Sequence, residues 1–330
     1  MRWMLFGLLG ATTLGGAALA QRERLPAECR QEIMQLCQSS MGGGFRQCLM
    51  TAMPKLSDPC RKIIGERAAA AYPPAAGTVE HAYGADPKQR LDLVKPAGAG
   101  KAPVLLFVHG GGWSIGDKAH AAPDKAKWAN SKGWAFASAN YRLVPQATVE
   151  QQAADVAHAI AWLRSNAARE GLDLNRIVLM GHSAGAHLVA LVGTDPRYLT
   201  AAGVPMNAVI GAVLLDGAGY DVAARASAEM NIVKPMYEAA FSNDPKRQAA
   251  LSPTRHAAAP NVSRWLILPI ERRADSQAQS KGLAEALNRA GTSATVIAVP
   301  GESHGSLNKG LGEGGDFATK QIERFLDDTR

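Results

Sequence analysis

The sequence predicts an α/β domain with a mostly parallel central sheet, and three observations predict it. Short apolar, β-rich runs recur along the chain, among them Val104–Val108, Ile177–Met180 and Ala208–Leu215. Amphipathic helical stretches separate them, as in Val149–Arg169, where Val149, Ala153, Val156, Ile160 and Leu163 follow one another at spacings of four and three. One run, Ile177–Met180, passes directly into Gly181-His-Ser-Ala-Gly185 and then into a helical segment, Ala184–Val192. Strands alternating with helices imply right-handed crossovers and a sheet covered on both faces.

The bulk properties agree with this. The chain has 330 residues, 47% hydrophobic and 20% charged, which suits one large domain with a small appendage. The formal charge of +7 is spread along the chain, with no basic run and no interleaving of aromatic and basic residues. That pattern reads as a solvated surface and argues against nucleic acid as a partner.

The N-terminus has a different character. Met1-Arg2 is followed by an apolar stretch from Trp3 to Leu14 and by Ala18-Leu19-Ala20. This is the pattern of a signal peptide over residues 1–20, cleaved before Gln21, and it predicts export to the periplasm or beyond the cell. The stretch is short and glycine-rich for a membrane span, so no span is expected after cleavage; an uncleaved anchor is the alternative. All four cysteines, Cys29, Cys37, Cys48 and Cys60, fall in the next segment, residues 21–67. An even, clustered count after a signal peptide predicts two disulfides. Three pairings are possible, and a helical hairpin stapled as Cys29–Cys60 and Cys37–Cys48 is preferred. Its helices are expected at Pro26–Gln38 and Phe45–Ala52, around a turn at Met41–Gly44. The cysteine spacings lack the short Cys-x-x-Cys knuckles of zinc sites, so no metal is expected.

Residues 68–77, rich in Ala, Pro and Gly, read as a linker, and the α/β domain is expected over residues 78–330. Thr78–Tyr83 and Gln89–Val94 read as antiparallel strands around Gly84-Ala-Asp-Pro87. Val104–Val108 is a buried strand, Ala119–Lys132 a helix and Ala135–Asn140 a strand. Beyond Ala208–Leu215, residues Asp221–Pro260 read as an irregular, partly helical excursion that shapes a pocket. Trp265–Ile270 and Ala294–Val299 are strands, and Ser276–Ala290 and Phe317–Asp327 are helices.

Two stretches carry chemistry. Strand, Gly-x-Ser-x-Gly and helix in succession present a serine at a sharp turn, where Ser183 is a candidate nucleophile. Three fixed residues of about 7% abundance recur by chance in roughly one chain in ten of this length, so the flanking strand and helix carry the inference. The second stretch is His109-Gly-Gly-Gly-Trp113, after a strand. Its glycines let backbone N–H groups approach a developing oxyanion, so Gly111 and Gly112, with Ala184 after the serine, are candidate donors. Trp113 is a candidate substrate-lining residue or a cap on the core. His109 reads as a support for the loop.

Among the eight histidines, His304 in Pro300-Gly-Glu-Ser-His-Gly-Ser306 is the candidate general base, on a loop after the last strand. His256 is the runner-up. For the carboxylate that orients it, Asp275 is the first candidate, Asp216 its main competitor, and Glu271 stands behind both.

These motifs resemble those of α/β-hydrolase esterases and lipases, the group that includes hormone-sensitive-lipase-like and feruloyl-esterase-like carboxylesterases. The matching features are His109-Gly-Gly-Gly-Trp113, Tyr141-Arg-Leu-Val-Pro145, Gly181-His-Ser-Ala-Gly185, Asp275 and His304. The resemblance implies an α/β-hydrolase fold, a triad of Ser183, Asp275 and His304, and an oxyanion hole of Gly111, Gly112 and Ala184. It implies serine-dependent hydrolysis of a small-molecule ester, short-chain or aryl, with no cofactor. Glu271-Arg-Arg-Ala-Asp275 departs from the Gly-x-x-Asp turn common in the group. Kynurenine formamidases look similar around the two motifs, which keeps an amidase as the alternative; a non-catalytic binding protein on the same fold is the other. Nothing in the sequence specifies an oligomeric state.

Overall fold

The computed structural model of the chain describes residues 25–37, 48–49, 52–70, 74–98, 100–121, 123–226, 234–258 and 260–329. The expected signal peptide and the turn Met41–Gly44 lie outside them.

The apolar runs form eight strands: β1 (Val79–Ala82), β2 (Arg90–Val94), β3 (Ala102–Val108), β4 (Ala135–Ala139), β5 (Leu172–His182), β6 (Val209–Leu215), β7 (Arg264–Leu268) and β8 (Ser293–Val296). They make one sheet in the order β1-β2-β4-β3-β5-β6-β7-β8. The pairings β1–β2 and β2–β4 are antiparallel, and all others are parallel. The alternation of side chains along a strand divides the core in two. Leu106, Leu179, Leu214 and Ile267 enter one cluster; Leu105, Phe107, Val178, Met180, Val213, Leu215, Leu266 and Leu268 enter the other. Both faces are therefore dry, which explains why the central strands read as continuous apolar runs.

The described helices, in chain order, are α1 (Ala27–Cys37), α2 (Asp58–Ala70), α3 (Pro123–Ser131), α4 (Val149–Ser165), α5 (Ala167–Glu170), α6 (Ala184–Thr194), α7 (Pro196–Ala201), α8 (Val222–Ala226), α9 (Lys234–Phe241), α10 (Pro245–Ala250), α11 (Ala274–Arg289), α12 (His304–Gly310) and α13 (Phe317–Asp327). The expected single helix Val149–Arg169 is broken in two at Asn166; α4 begins in a capping box formed by Thr148 and Gln151. Among the described residues no helix is long and apolar enough to cross a membrane.

The cysteine-rich segment has a small apolar cluster of its own. The disulfides Cys29–Cys60 and Cys37–Cys48 are both present, with Cα atoms 5.3 and 5.7 Å apart, as the preferred pairing has them. Cys60 lies on α2, a helix that the sequence reading did not mark; much of the expected second helix, Phe45–Ala52, lies outside the described residues. Cys29, Ile33, Met53, Leu56 and Cys60 make a miniature core, and Ile115 from the loop after β3 packs against it. Gln146 Nε2 donates to Asp58 Oδ1 at 2.9 Å and ties the segment to the α/β domain.

Candidate active site

The C-terminal ends of β3, β5, β6 and β7 and the loop after β8 converge on one edge of the sheet, where parallel α/β sheets place their sites. Each contributes a polar group. Ser183 stands between β5 and α6 with φ 55° and ψ −119°, a conformation that non-glycine residues rarely hold. Steric room explains the flanking glycines. A Cβ on Gly181 would lie 2.3 Å from the Gly185 carbonyl oxygen, and one on Gly185 would lie 2.1 Å from that of Val108. The Ser183 N–H donates to Leu215 O at 3.0 Å, which pins the turn to β6.

His304 begins α12 rather than lying on a loop. Ser303 caps the helix, with its side chain accepting from the Ser306 N–H. The imidazole Nε2 is 3.0 Å from Ser183 Oγ, and Nδ1 is 2.6 Å from Asp216 Oδ2. These partners select the tautomer in which Nδ1–H donates to the carboxylate and Nε2 accepts from the serine hydroxyl. Beneath it, the His182 ring lies 4.5 Å from the His304 ring between centroids and donates from Nε2 to His304 O at 2.8 Å. Burial, joined by the nearby His304, holds His182 well below the ordinary histidine value, so it stays neutral.

The carboxylate on His304 is therefore Asp216, the competitor, and not Asp275. Asp216 follows β6 directly, buried, with φ 43°. Its Oδ1 accepts from the Ile270 N–H at 3.2 Å, and its Oδ2 from Arg273 Nη1 at 2.7 Å. Burial by itself would raise its proton affinity; the hydrogen bond from His304 and the charge of Arg273 outweigh that and hold it well below the usual carboxylate range. Asp275 lies in the first turn of α11 and faces Arg273 and Arg225, at 3.2 and 3.1 Å. The two arginines occupy its carboxylate, and Arg273 stands between it and the imidazole. His256 points elsewhere, with Nε2 donating to Ala250 O at 2.8 Å.

The glycine loop lies against Ser183. A Cβ on Gly110 would sit 2.9 Å from Ser183 Cβ. Gly111 and Gly112 take φ 126° and 58°, and Cβ atoms there would strike Ile115 O at 2.0 Å and Met236 Sδ at 2.4 Å. Ala184 is the first residue of α6, where a backbone N–H has no intrahelical acceptor. Trp113, expected as a possible substrate contact, is instead buried, 2% exposed. Its indole N–H donates to His187 Nδ1 at 3.3 Å, and its ring packs edge-on against Tyr237 and Phe241. It anchors the loop in the core, and Gln152 Nε2 completes the anchor by donating to Trp113 O at 2.7 Å. His109 is a support as expected, stacked on Tyr141 at 4.3 Å, whose hydroxyl donates to His109 O at 2.9 Å. No cluster of metal-ligating side chains occurs among the described residues.

Sequence reasoning missed Arg273 and the His182 platform. Arg273 left a trace only as the interruption of the expected Gly-x-x-Asp turn; His182 left none beyond its place in Gly181-His-Ser-Ala-Gly185.

Comparison with known proteins agrees with the fold. The BD-FAE family model matches residues 91–211. Esterase LipC of Mycobacterium tuberculosis is 38% identical over 140 residues, 38% of this chain and 35% of that protein. Isoprenylcysteine alpha-carbonyl methylesterase ICME of Arabidopsis thaliana is 39% identical over 116 residues, 33% of this chain and 25% of that protein. The chain thus spans about a third or less of the length of these curated relatives. Among solved structures, esterase B from Lactobacillus Rhamnosis superposes with a TM-score of 0.67 at 20% identity, covering 85% of this chain and 95% of that one. The carboxylesterase EstE1 from a metagenomic library gives 0.64 at 20% identity, covering 84% and 95%. With the fold of these enzymes and a BD-FAE segment across residues 91–211, the chain is an α/β-hydrolase-fold protein.

Proposed function

We propose that this protein is a serine-dependent hydrolase of carboxylic esters that works through an acyl-enzyme. The observation that carries the reading is the hydrogen-bonded line Ser183 Oγ to His304 Nε2 at 3.0 Å and His304 Nδ1 to Asp216 Oδ2 at 2.6 Å. The esterase names of the sequence relatives support it.

In the reaction, Ser183 Oγ attacks the ester carbonyl as His304 Nε2 takes its proton. The carbonyl π electrons move to oxygen, and N–H groups of Gly111, Gly112 and Ala184 receive the charge. One such donor is worth about 3 kcal/mol of barrier. The tetrahedral species collapses, the C–O bond to the alcohol breaks, and the imidazolium returns its proton to the leaving oxygen. Water, deprotonated by the same imidazole, then attacks the acyl-enzyme and releases the acid and Ser183. Asp216 keeps Nδ1 protonated throughout and stabilises the transient imidazolium.

Short-chain or aryl esters are the proposed substrates. Hydrolysis of p-nitrophenyl esters from acetate to palmitate, with and without Ser183→Ala, tests both parts. A Ser183-dependent rate that peaks at short chains is expected; a rate unaffected by the substitution would sink the mechanism. The two disulfides support an oxidising compartment, and we place the protein outside the cytosol.

A further inference from the structure

One charged group at the site has no part in the acyl-transfer scheme. Arg273 precedes α11, and its Nη1 donates to Asp216 Oδ2 at 2.7 Å and to Asp216 O at 3.2 Å. The same nitrogen lies 2.9 Å from His304 Nδ1. Asp216 Oδ2 is therefore shared between imidazole and guanidinium. The other edge of Arg273 faces Asp275, with Nε 3.3 Å from Oδ1 and Nη2 3.2 Å from Oδ2. Asp275 Oδ2 in turn pairs with Arg225 Nη2 at 3.1 Å. Four charges of alternating sign thus lead away from the imidazole: Asp216, Arg273, Asp275 and Arg225.

The other titratable groups around His304 come from different elements. His182, at the end of β5, lies against the ring and is neutral. Lys125 on α3 is buried and donates to Asn308 O on the same helix as His304; burial lowers it to about 7. Glu302, in the loop before α12, accepts from Ser306. Of these groups, Asp216 and Arg273 are the charged ones in hydrogen-bond range of Nδ1.

We propose that Arg273 is a positioning residue that sets the basicity of His304, and that Asp275 is the counterweight that tunes it. The inference rests on the ester-hydrolysis reading. Attack by Ser183 creates an imidazolium whose Nδ1 edge faces a carboxylate and a cation together. Asp216 favours the proton, and Arg273 opposes it. Charges this close interact strongly even after screening. Asp275 offsets part of the guanidinium charge and so weakens the opposition. Arg273 by itself would favour the wrong tautomer, and Asp216 must outcompete it. An imidazole with a bare Nδ1 would accept from Nη1 and present Nε2–H to the serine, leaving no base. The shorter contact, 2.6 Å to Asp216 against 2.9 Å to Arg273, favours the productive form. The fork on the side chain and carbonyl of Asp216 also holds that residue in its left-handed backbone conformation.

The test is the pH dependence of kcat/KM on a p-nitrophenyl ester, together with an NMR titration of the His304 ring, for four proteins: wild type, Arg273→Met, Arg273→Lys and Asp275→Asn. Loss of the cation in Arg273→Met is expected to move the acidic limb and the His304 titration up by about one pH unit. Loss of the counterweight in Asp275→Asn is expected to move both down, by about half a unit. Arg273→Lys keeps the charge and stays near wild type. Opposite shifts are not produced by a merely structural role, which would lower the rate and leave the limb in place. Shifts in the same direction, or none, overturn the proposal. If Arg273→Met does not fold, Asp275→Asn decides alone, and an unmoved limb overturns it. Ser183→Ala in the same assay guards the underlying reading. If it keeps the ester rate, that reading fails, and the NMR titration still decides the role of Arg273.

Discussion

The two sides of Ser183 are built in different ways. Ser183 and the glycine loop come from two short stretches, Gly181–Gly185 and His109–Trp113, shaped by close contact between backbones. The acid–base side is assembled from strand ends far apart in sequence: His304 lies 121 residues from Ser183 and 88 from Asp216. The first side is fixed by sterics and is intolerant of one extra carbon. The second is held by charge pairing and hydrogen bonds. A site of this kind separates the backbone geometry around Ser183 from the charge arrangement around His304.

The sharpest test of that division removes each side in turn. Ser183→Ala is expected to lower kcat by about a millionfold with the melting temperature unchanged, as seen for nucleophiles acting within a triad. Asp216→Asn should lower kcat by about ten-thousandfold through loss of the productive tautomer. Asp275→Asn should cost no more than about tenfold, because its carboxylate pairs with Arg273 and Arg225 and not with the imidazole. Equal losses in the two variants, read by the same ester assay, would return Asp275 to the role first expected of it.

The steric side breaks differently. Gly185→Ala places a Cβ 2.1 Å from Val108 O, and the backbone there has no slack. A loss of about 3 kcal/mol or more in urea unfolding is expected, with activity lost alongside stability. An active, equally stable variant would mean that the elbow is looser than its contacts imply.

A separate effect concerns pH and stability. His187 supports Trp113 and the glycine loop; burial lowers it to about 4, partly offset by its bond to Leu251 O. A histidine depressed on folding binds its proton more readily in the unfolded chain. Its contribution is complete above the ordinary value near 6.5 and is lost as pH falls through the folded value. Acidification from about pH 6.5 to 4 should therefore cost about 3 kcal/mol from this group. His187→Gln should flatten that part of the urea-midpoint curve. Asp216 acts lower still: its stabilisation is present above about pH 4 and fades as pH falls further, because its folded value lies below the unfolded one.

Much of this was legible in advance where the cause is local. Continuous apolar runs marked β3, β5 and β6 because both faces of the sheet are covered. The strand–turn–helix around Ser183 was legible because only glycine fits at 181 and 185. The cysteine pairing was legible from clustering and helical spacing, although α2 was not marked. Trp113 was ambiguous for a physical reason: an aromatic after a glycine loop can face the substrate or the core, and the Tyr237 and Phe241 that enclose it lie more than a hundred residues along.

By itself, then, the sequence determined the parallel α/β architecture and picked out Ser183, the glycine loop and His304 as candidates, since backbone sterics and hydrophobic periodicity act between near neighbours. Only the tertiary structure decided which carboxylate serves His304. Asp216 and Asp275 both follow adjacent parallel strands, β6 and β7. What separates them is Arg273, whose guanidinium holds Asp216 against the imidazole and keeps Asp275 on its far side, an arrangement of charges that exists only once the strand ends have been brought together.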